Sequence, residues 1–286
     1  NSVEPVTAVV LDRYRLIDDD VPGDIQHVVL QLPEDFRYVE GQSISVIPPG
    51  EQSNGKPHDP RVYHIASTRY GDDLEGDSVS LCVRRAVYWD PELQQLDPEK
   101  AGVCSNFLCD AQEGDKVKVS GPVGETMLLP EDLSKDIIMV AAGTGIAPFR
   151  AFMRRLFAEN TVAAHLFTGR AWLVFGVPTS SNLLYADEIE VMQRLSEGRL
   201  DVDYAFSREK NNPTGDKLNV QDVLTEQADK LFEMLDKGAV LYVCGLKGML
   251  PGIISALEIV AGERDIDWKE RLAELKDRGQ WREEVY

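Results

Sequence analysis

The feature that most constrains how this chain can fold is a change of hydrophobic period near residue 133. From Thr7 to about Pro130, short β-rich runs recur, among them Ile25 to Leu32, Gln42 to Ile47, Val79 to Val87 and Lys116 to Ser120. Turn clusters separate them: Val21-Pro-Gly-Asp24, Pro48-Pro-Gly50 and Gly121-Pro-Val-Gly124. Closely spaced short strands with such turns predict an antiparallel β-barrel or sandwich. Beyond that point, continuous apolar runs alternate with amphipathic segments: Ile137 to Ala142, Ala171 to Val177, Val202 to Ser207 and Ala239 to Gly245. Unbroken apolar strands are buried on both faces, so this half predicts a doubly wound parallel sheet with helices on each side.

A chain of 286 residues has room for both, since single cores stop growing near this length. The expected domains are therefore 1–133 and 134–286. One helix is predicted from Phe149, Phe152, Met153, Leu156 and Phe157, which share a face, and another from Leu224, Ala228, Leu231 and Leu235. A last helix opens at Asp267, buries Trp268, Leu272 and Leu275, and stops at Gly279.

The formal charge of -19 argues against nucleic-acid binding, which needs a basic face, and against an anionic membrane surface. No run approaches the roughly 20 apolar residues of a spanning helix, and the opening residues Asn1 to Pro5 show no signal or transit pattern. Cys82, Cys104, Cys109 and Cys244 form no CxxC pair, which argues against a zinc or thioredoxin-like site and for a reducing compartment. No metal site is expected.

Several strings carry candidate chemistry. Met139-Val-Ala-Ala-Gly143-Thr-Gly145-Ile-Ala-Pro148 runs from a strand through a Gly-rich turn into a helix, where main-chain N–H groups can meet a phosphate. Ser207-Arg208, with Lys217 after a turn-rich gap, ends another strand, where ligands of doubly wound sheets bind and cations suit a 2'-phosphate. Alternation puts Arg61 and Tyr63 on one face, ready for a phosphate and a planar ring. Gly102-Val-Cys104-Ser105-Asn106 reads as a helix start. Cys244 closes an apolar strand, and the chain finishes with Trp281 to Tyr286. Taken singly, the Gly-rich turn reads as well as a tight structural turn, and the others read first as a surface arginine, a capped helix or an inert buried cysteine.

Together and in this order they resemble plant-type ferredoxin–NADP reductase over nearly the whole chain. The telling strings are Arg61-Val-Tyr63, Leu81-Cys-Val-Arg-Arg-Ala-Val-Tyr88, Gly102-Val-Cys-Ser-Asn-Phe-Leu-Cys109, Gly143-Thr-Gly-Ile-Ala-Pro148, Gly176-Val-Pro-Thr-Ser-Ser181, Cys244-Gly-Leu-Lys-Gly-Met249 and Glu284-Val-Tyr286. The resemblance implies an N-terminal barrel holding FAD and a C-terminal α/β domain holding NADP. It also implies hydride transfer between NADPH and FAD, and single-electron transfer between FAD and ferredoxin, a [2Fe-2S] carrier. Arg61 would pair with the FAD pyrophosphate, Tyr63 pack on one flavin face and Tyr88 stack on the adenine, with Val103, Cys104 and Ser105 adding contacts. Arg84 would reach the NADP pyrophosphate, Thr144 the cleft between cofactors, Val177 and Pro178 the nicotinamide half, and Ser207, Arg208 and Lys217 the 2'-phosphate. Val62, His64, Cys82, Val83, Gly245 and Leu246 complete the expected cofactor contacts. His64, Cys244, Glu284 and Tyr286 are the expected catalytic group: Tyr286 covers the other flavin face and must leave before nicotinamide enters, and Glu284 conducts protons.

Two positions depart from the family pattern. His64 stands where a serine is usual and is expected to make hydride transfer slower and pH-dependent near neutrality. Asn219 stands where a tyrosine would stack on the NADP adenine. Ferredoxin is normally acidic, so local cations must steer it, and Lys56, Arg154, Arg155 and Lys276 are the candidates. Ser67 to Asp72 and Val83 to Tyr88 resemble root-type members, which run from NADPH toward ferredoxin. The implied location is the plastid stroma, with a bacterial cytoplasm as the alternative. Three other readings are a flavodoxin-coupled reductase, an NADP-binding regulatory module without flavin, and a structural interaction domain.

Overall fold

The computed structural model describes residues 4–286. They divide into two compact units, the first ending at Glu125 and the second beginning at Thr126. The segment just before the expected boundary belongs to the second unit because the carbonyl of Leu128 accepts hydrogen bonds from Tyr242 Oη at 2.7 Å and from Arg282 Nη1 at 2.6 Å.

In the first unit the strands are β1 (Val6–Arg15), β2 (Ile25–Gln31), β3 (Ser43–Ile47), β4 (Arg61–His64) and β5 (Ser78–Arg84), then the small hairpin β6 (Trp89–Asp90) and β7 (Gln95–Leu96), and β8 (Lys116–Val123). Six of them form one antiparallel sheet in the order β4-β3-β8-β1-β2-β5. The two edges meet just past β4, where Ile65 bridges to Leu81 and the Ala66 N–H donates to Ser80 O at 2.8 Å. The sheet thereby closes into a barrel, and neither edge is left as a template for aggregation. Alternate residues point inward: Ala8 and Val10, Val28 and Leu30, Ile44 and Val46, Val117 and Val119 are all buried. Helix α1 (Val103–Asp110) packs Cys104, Leu108 and Cys109 into the same core. Each such aliphatic side chain stabilises the fold by roughly 1.5–3 kcal/mol.

The second unit is a five-stranded parallel sheet in the order β11-β10-β9-β12-β13, built from β9 (Ile137–Ala142), β10 (Ala171–Val177), β11 (Leu200–Phe206), β12 (Val240–Gly245) and β13 (Trp281–Val285). Its helices are α2 (Ala147–Met153), α3 (Val162–Leu166), α4 (Ala186–Leu195), α5 (Val220–Glu226), α6 (Ala228–Asp236), α7 (Met249–Gly262) and α8 (Trp268–Asp277). One sheet face, carrying Ile138, Val140, Trp172, Val174, Leu241 and Val243, packs with α5, α6, α7 and α8. The other presents Tyr242, whose ring meets Phe149 and Phe152 of α2 edge-on. Because β9 has β10 on one side and β12 on the other, the chain reverses its winding there, which creates a crevice beyond the strand carboxyl ends.

Three sequence expectations change in detail. The helix expected through Leu224, Ala228, Leu231 and Leu235 is two helices, α5 and α6, parted at Gln227 (φ -105°, ψ 31°). All four residues still enter one core, so the apolar spacing survives the break and conceals it. The helix through Phe149 to Phe157 passes from α2 into a wider π turn, Arg154–Ala158. The tail beginning at Trp281 is an edge strand, paired with β12 in parallel register. The closing helix α8 has Asp267 as its N-cap, with its side chain accepting from the Glu270 N–H.

Candidate functional site

In the barrel unit the candidate residues gather on β4, at the end of β5 and at the start of α1. Arg61 and Val62 are exposed, whereas Tyr63 is half-buried and packs against the barrel core. Burial, and after it the neighbouring Cys104, push the Tyr63 phenol well above its ordinary value. Cys104 is itself raised by burial, and its thiol lies 3.8 Å from Val46 O. Both groups therefore stay neutral and serve as packing and hydrogen-bonding surfaces.

His64 differs from expectation. Its Nδ1 lies 3.1 Å from Ser43 Oγ, and burial lowers its pKa to about 4. The imidazole is thus neutral at physiological pH and, contrary to expectation, does not titrate near neutrality: desolvation disfavours the charged ring.

Arg84 and Tyr88 are exposed at and just beyond the end of β5, with Lys100 Nζ 4.8 Å from the Tyr88 ring centroid. Cys82 and Val83 are buried, so only their main chain can meet a ligand. The start of α1 suits a phosphate better than sequence alone shows. Gly102 is its N-cap without a side-chain cap, Val103 is exposed, and the first-turn N–H groups are left for another acceptor. The Ser105 hydroxyl is already engaged, accepting from Ala86 N–H at 3.0 Å and donating to Gly102 O at 3.3 Å.

Arg85 was not anticipated. Its guanidinium donates to Asp24 Oδ2 at 2.7 Å, Asn106 Oδ1 at 2.8 Å and Asp110 Oδ1 at 2.7 Å, and so fixes α1 against the barrel. The only sequence signal was the Arg84-Arg85 doublet on a strand, where neighbours point to opposite sides.

In the α/β unit the candidates lie in the last residues of strands or in the loops that follow them. The turn after β9 is a 3₁₀ segment, Gly143–Ile146, with Gly143 in the left-handed region at φ +54°. Gly145 packs so closely on β12 that a Cβ there would lie 2.2 Å from Cys244 O. Cys244 is fully buried and pairs in register with Glu284 of β13. Burial and the Glu284 charge raise the thiol, and burial raises the Glu284 carboxyl. Glu284 Oε2 is buried without a hydrogen-bond partner, as expected of a group that can hold a proton. Gly245 is buried and Leu246 exposed. Tyr286 is exposed; its hydroxyl meets Thr144 Oγ1, and its N–H donates to Gly245 O at 2.9 Å.

The loops after β10 and β11 are laced together. Ser207 N–H donates to Val177 O at 3.2 Å, Arg208 N–H to Pro178 O at 2.8 Å, and Ser180 gives both its N–H and its hydroxyl to Glu209. Arg208 and Lys217 are exposed, with Lys217 bridged to Asn211. Asn219 is the N-cap of α5: its N–H donates to Asp222 Oδ2 at 2.7 Å and its Nδ2 to Lys217 O at 3.1 Å. A short polar residue at this position thus has a local reason.

Two of the four candidate docking cations do not present a free charge: Arg155 is buried, and Arg154 faces Glu188 at 3.7 Å and Glu159 at 4.0 Å. Lys56 is exposed, and so is Lys276, which lies 3.1 Å from Glu283. Among the described residues no cluster suits a metal ion, and no helix is long and apolar enough to cross a membrane.

An antiparallel barrel and a parallel sheet with a phosphate-type turn at its switch point define a two-unit nucleotide-dependent oxidoreductase architecture. A family model for the oxidoreductase NAD-binding domain matches residues 139–254, within the α/β unit. Ferredoxin–NADP reductase root isozyme 1, chloroplastic, of Arabidopsis thaliana is 49% identical over 99% of this chain and 75% of its own length. The Picosynechococcus ferredoxin–NADP reductase is 45% identical, covering 99% and 70%. The solved Plasmodium falciparum ferredoxin–NADP+ reductase with 2'P-AMP shares the fold, with a TM-score of 0.76 at 23% identity over 99% of this chain and 96% of that one. The chain belongs to the ferredoxin–NADP reductase family.

Proposed function

We propose that the protein is an FAD-dependent ferredoxin–NADP(+) reductase, passing hydride between NADPH and FAD and single electrons between FAD and ferredoxin. The observation that carries this reading is the convergence, at the carboxyl ends of the neighbouring strands β9, β12 and β13, of the Gly143–Ile146 turn, buried Cys244, the partnerless Glu284 oxygen and the exposed Tyr286 ring. The barrel unit fits FAD on its own features. Arg61 offers an exposed cation and Tyr88 an exposed ring, while the uncapped start of α1 offers N–H groups to a pyrophosphate. The α/β unit fits NADP: open space around Gly143 lets a phosphate approach the turn, and exposed Arg208 and Lys217 suit a 2'-phosphate.

FAD, when bound, supplies the redox chemistry, taking two electrons and releasing them singly. The side chains position and protonate. Arg61 anchors phosphate, and Tyr63 offers a neutral aromatic face. His64 contributes a neutral hydrogen-bonding ring. Cys244 shapes the floor as an un-ionised thiol, and Glu284, with its carboxyl raised, holds and releases a proton at its buried oxygen. The Tyr286 ring must move for nicotinamide to enter.

Ferredoxin is the proposed partner, with flavodoxin as a substitute. With Arg155 buried and Arg154 facing acidic side chains, Lys56 and Lys276 are the exposed cations of that set left to steer docking. The proposed location is the plastid stroma, in keeping with the chloroplastic plant relatives; a cyanobacterial-type cytoplasm is the alternative that the Picosynechococcus relative supports. The test is the absorption spectrum of the purified protein before and after anaerobic addition of NADPH. Oxidised flavin bands that bleach are expected; a colourless protein, or bands indifferent to NADPH, overturns the reading.

A further inference from the structure

Tyr286 is exposed, yet it is placed from several directions within the α/β unit. Its N–H donates to Gly245 O at 2.9 Å and its carbonyl accepts from Lys247 N–H at 3.0 Å, which fixes its backbone but not its ring. The ring is tied to the turn after β9 through its hydroxyl and Thr144 Oγ1. That anchor is stiff, because the next residue, Gly145, is wedged against the β12 main chain, where not even a Cβ fits. A swing of the tyrosine ring about its side-chain torsions therefore leaves both main-chain bonds intact and breaks the bond to Thr144.

We propose that Thr144 is a positioning residue that latches the Tyr286 ring closed, and so sets the fraction of the protein that can admit the nicotinamide half of the dinucleotide. The inference rests on the reductase reading above. A ligand that needs the open ring loses apparent affinity in proportion to the open fraction. One hydrogen bond changes such an equilibrium by about fivefold. A ligand confined to the loop of Ser207, Arg208 and Lys217 does not meet the ring and is indifferent to the latch. The latch thus weakens binding of the whole dinucleotide without weakening the grip on its 2'-phosphate end, which favours release of the nicotinamide ring after each turnover.

The test is equilibrium titration of the FAD-loaded protein with NADP+ and, separately, with 2'-phospho-AMP, for the parent chain, Thr144→Val, Tyr286→Phe and the double variant. Valine keeps the threonine shape and phenylalanine keeps the ring, so each removes the same bond. The dissociation constant for NADP+ is expected to fall about fivefold in either single variant and no further in the double, with 2'-phospho-AMP unchanged and Thr144→Ser behaving as the parent. An unchanged or weaker NADP+ constant in the single variants, additive effects in the double, or an equal shift for 2'-phospho-AMP overturns the latch alone. A parent chain that binds neither nucleotide overturns the reductase reading and the latch together.

Discussion

The two glycines of the turn after β9 are required for different reasons, and replacing each by alanine separates them. At Gly145 an added Cβ would lie 2.2 Å from Cys244 O, 2.5 Å from Cys244 C and 2.8 Å from Gly245 Cα. All three atoms are main chain of the buried strand β12, so no side chain can rotate away. The first contact is more than an ångström short of the ~3.5 Å at which non-bonded atoms sit. Gly145→Ala must therefore push the turn off the strand or bend the strand, an overpacking cost of about 3 kcal/mol. For a unit of this size that lowers Tm by roughly 6–12 °C. At Gly143 nothing lies within 4 Å of the added Cβ, and only the left-handed backbone at φ +54° opposes it. Gly143→Ala should cost about 1 kcal/mol, a fall of roughly 2–4 °C. Calorimetry of the two variants against the parent reads the difference directly. If Gly145→Ala melts within 2 °C of the parent, or if Gly143→Ala is the more damaging, the close packing of turn on strand is not what holds this end of the sheet together.

Three further outcomes follow from the site. His64 has a folded-state pKa of about 4, below its unfolded value, so the unfolded chain takes up the proton first: stability is flat above pH 6.5 and falls as pH drops toward 4, by about 3 kcal/mol at most. His64→Ser should flatten urea stability over that window and speed single-turnover reduction by NADPH without altering its profile between pH 7 and 8; an unchanged slope with pH refutes the burial argument, and an unchanged or slower rate refutes the expectation that the imidazole slows hydride transfer. Arg85→Leu leaves Asp24, Asn106 and Asp110 without their shared donor and should destabilise the barrel by about 2–3 kcal/mol and loosen FAD, measured by urea unfolding and by flavin release; unchanged flavin retention would show that α1 does not need this anchor. Asn219→Tyr should tighten NADP binding by roughly 2- to 10-fold through an aromatic stack while lowering stability by about 1 kcal/mol through the altered cap of α5, and a titration with no tightening removes the stacking argument.

Much of this protein was legible in the order of its residues. The change of period near residue 133 separates barrel strands from sheet strands because a strand buried on one face alternates and one buried on both does not. The strands β9 and β10 fall where the apolar runs lie, and the glycine-rich and aromatic strings point to the family because each sits at a fixed place along the chain. Local chemistry was readable as well: the cap at Asp267 and the proline opening α2 depend on neighbours a few residues away.

What only the tertiary structure decided involves partners far apart in sequence. Nothing in residues 281–286 shows that they add a strand beside β12, so the pairing of Glu284 with Cys244 and of Tyr286 with Thr144 had to come from the fold. The neutral state of His64 follows from the barrel wall around it, and the loss of Arg154 and Arg155 as docking cations follows from the acidic partners and burial that the helices impose on them. Sequence determines which chemistry is carried and at which step of the chain. Desolvation and long-range contact, which depend on what is packed against a group and not on what precedes it, determine the state in which that chemistry is held.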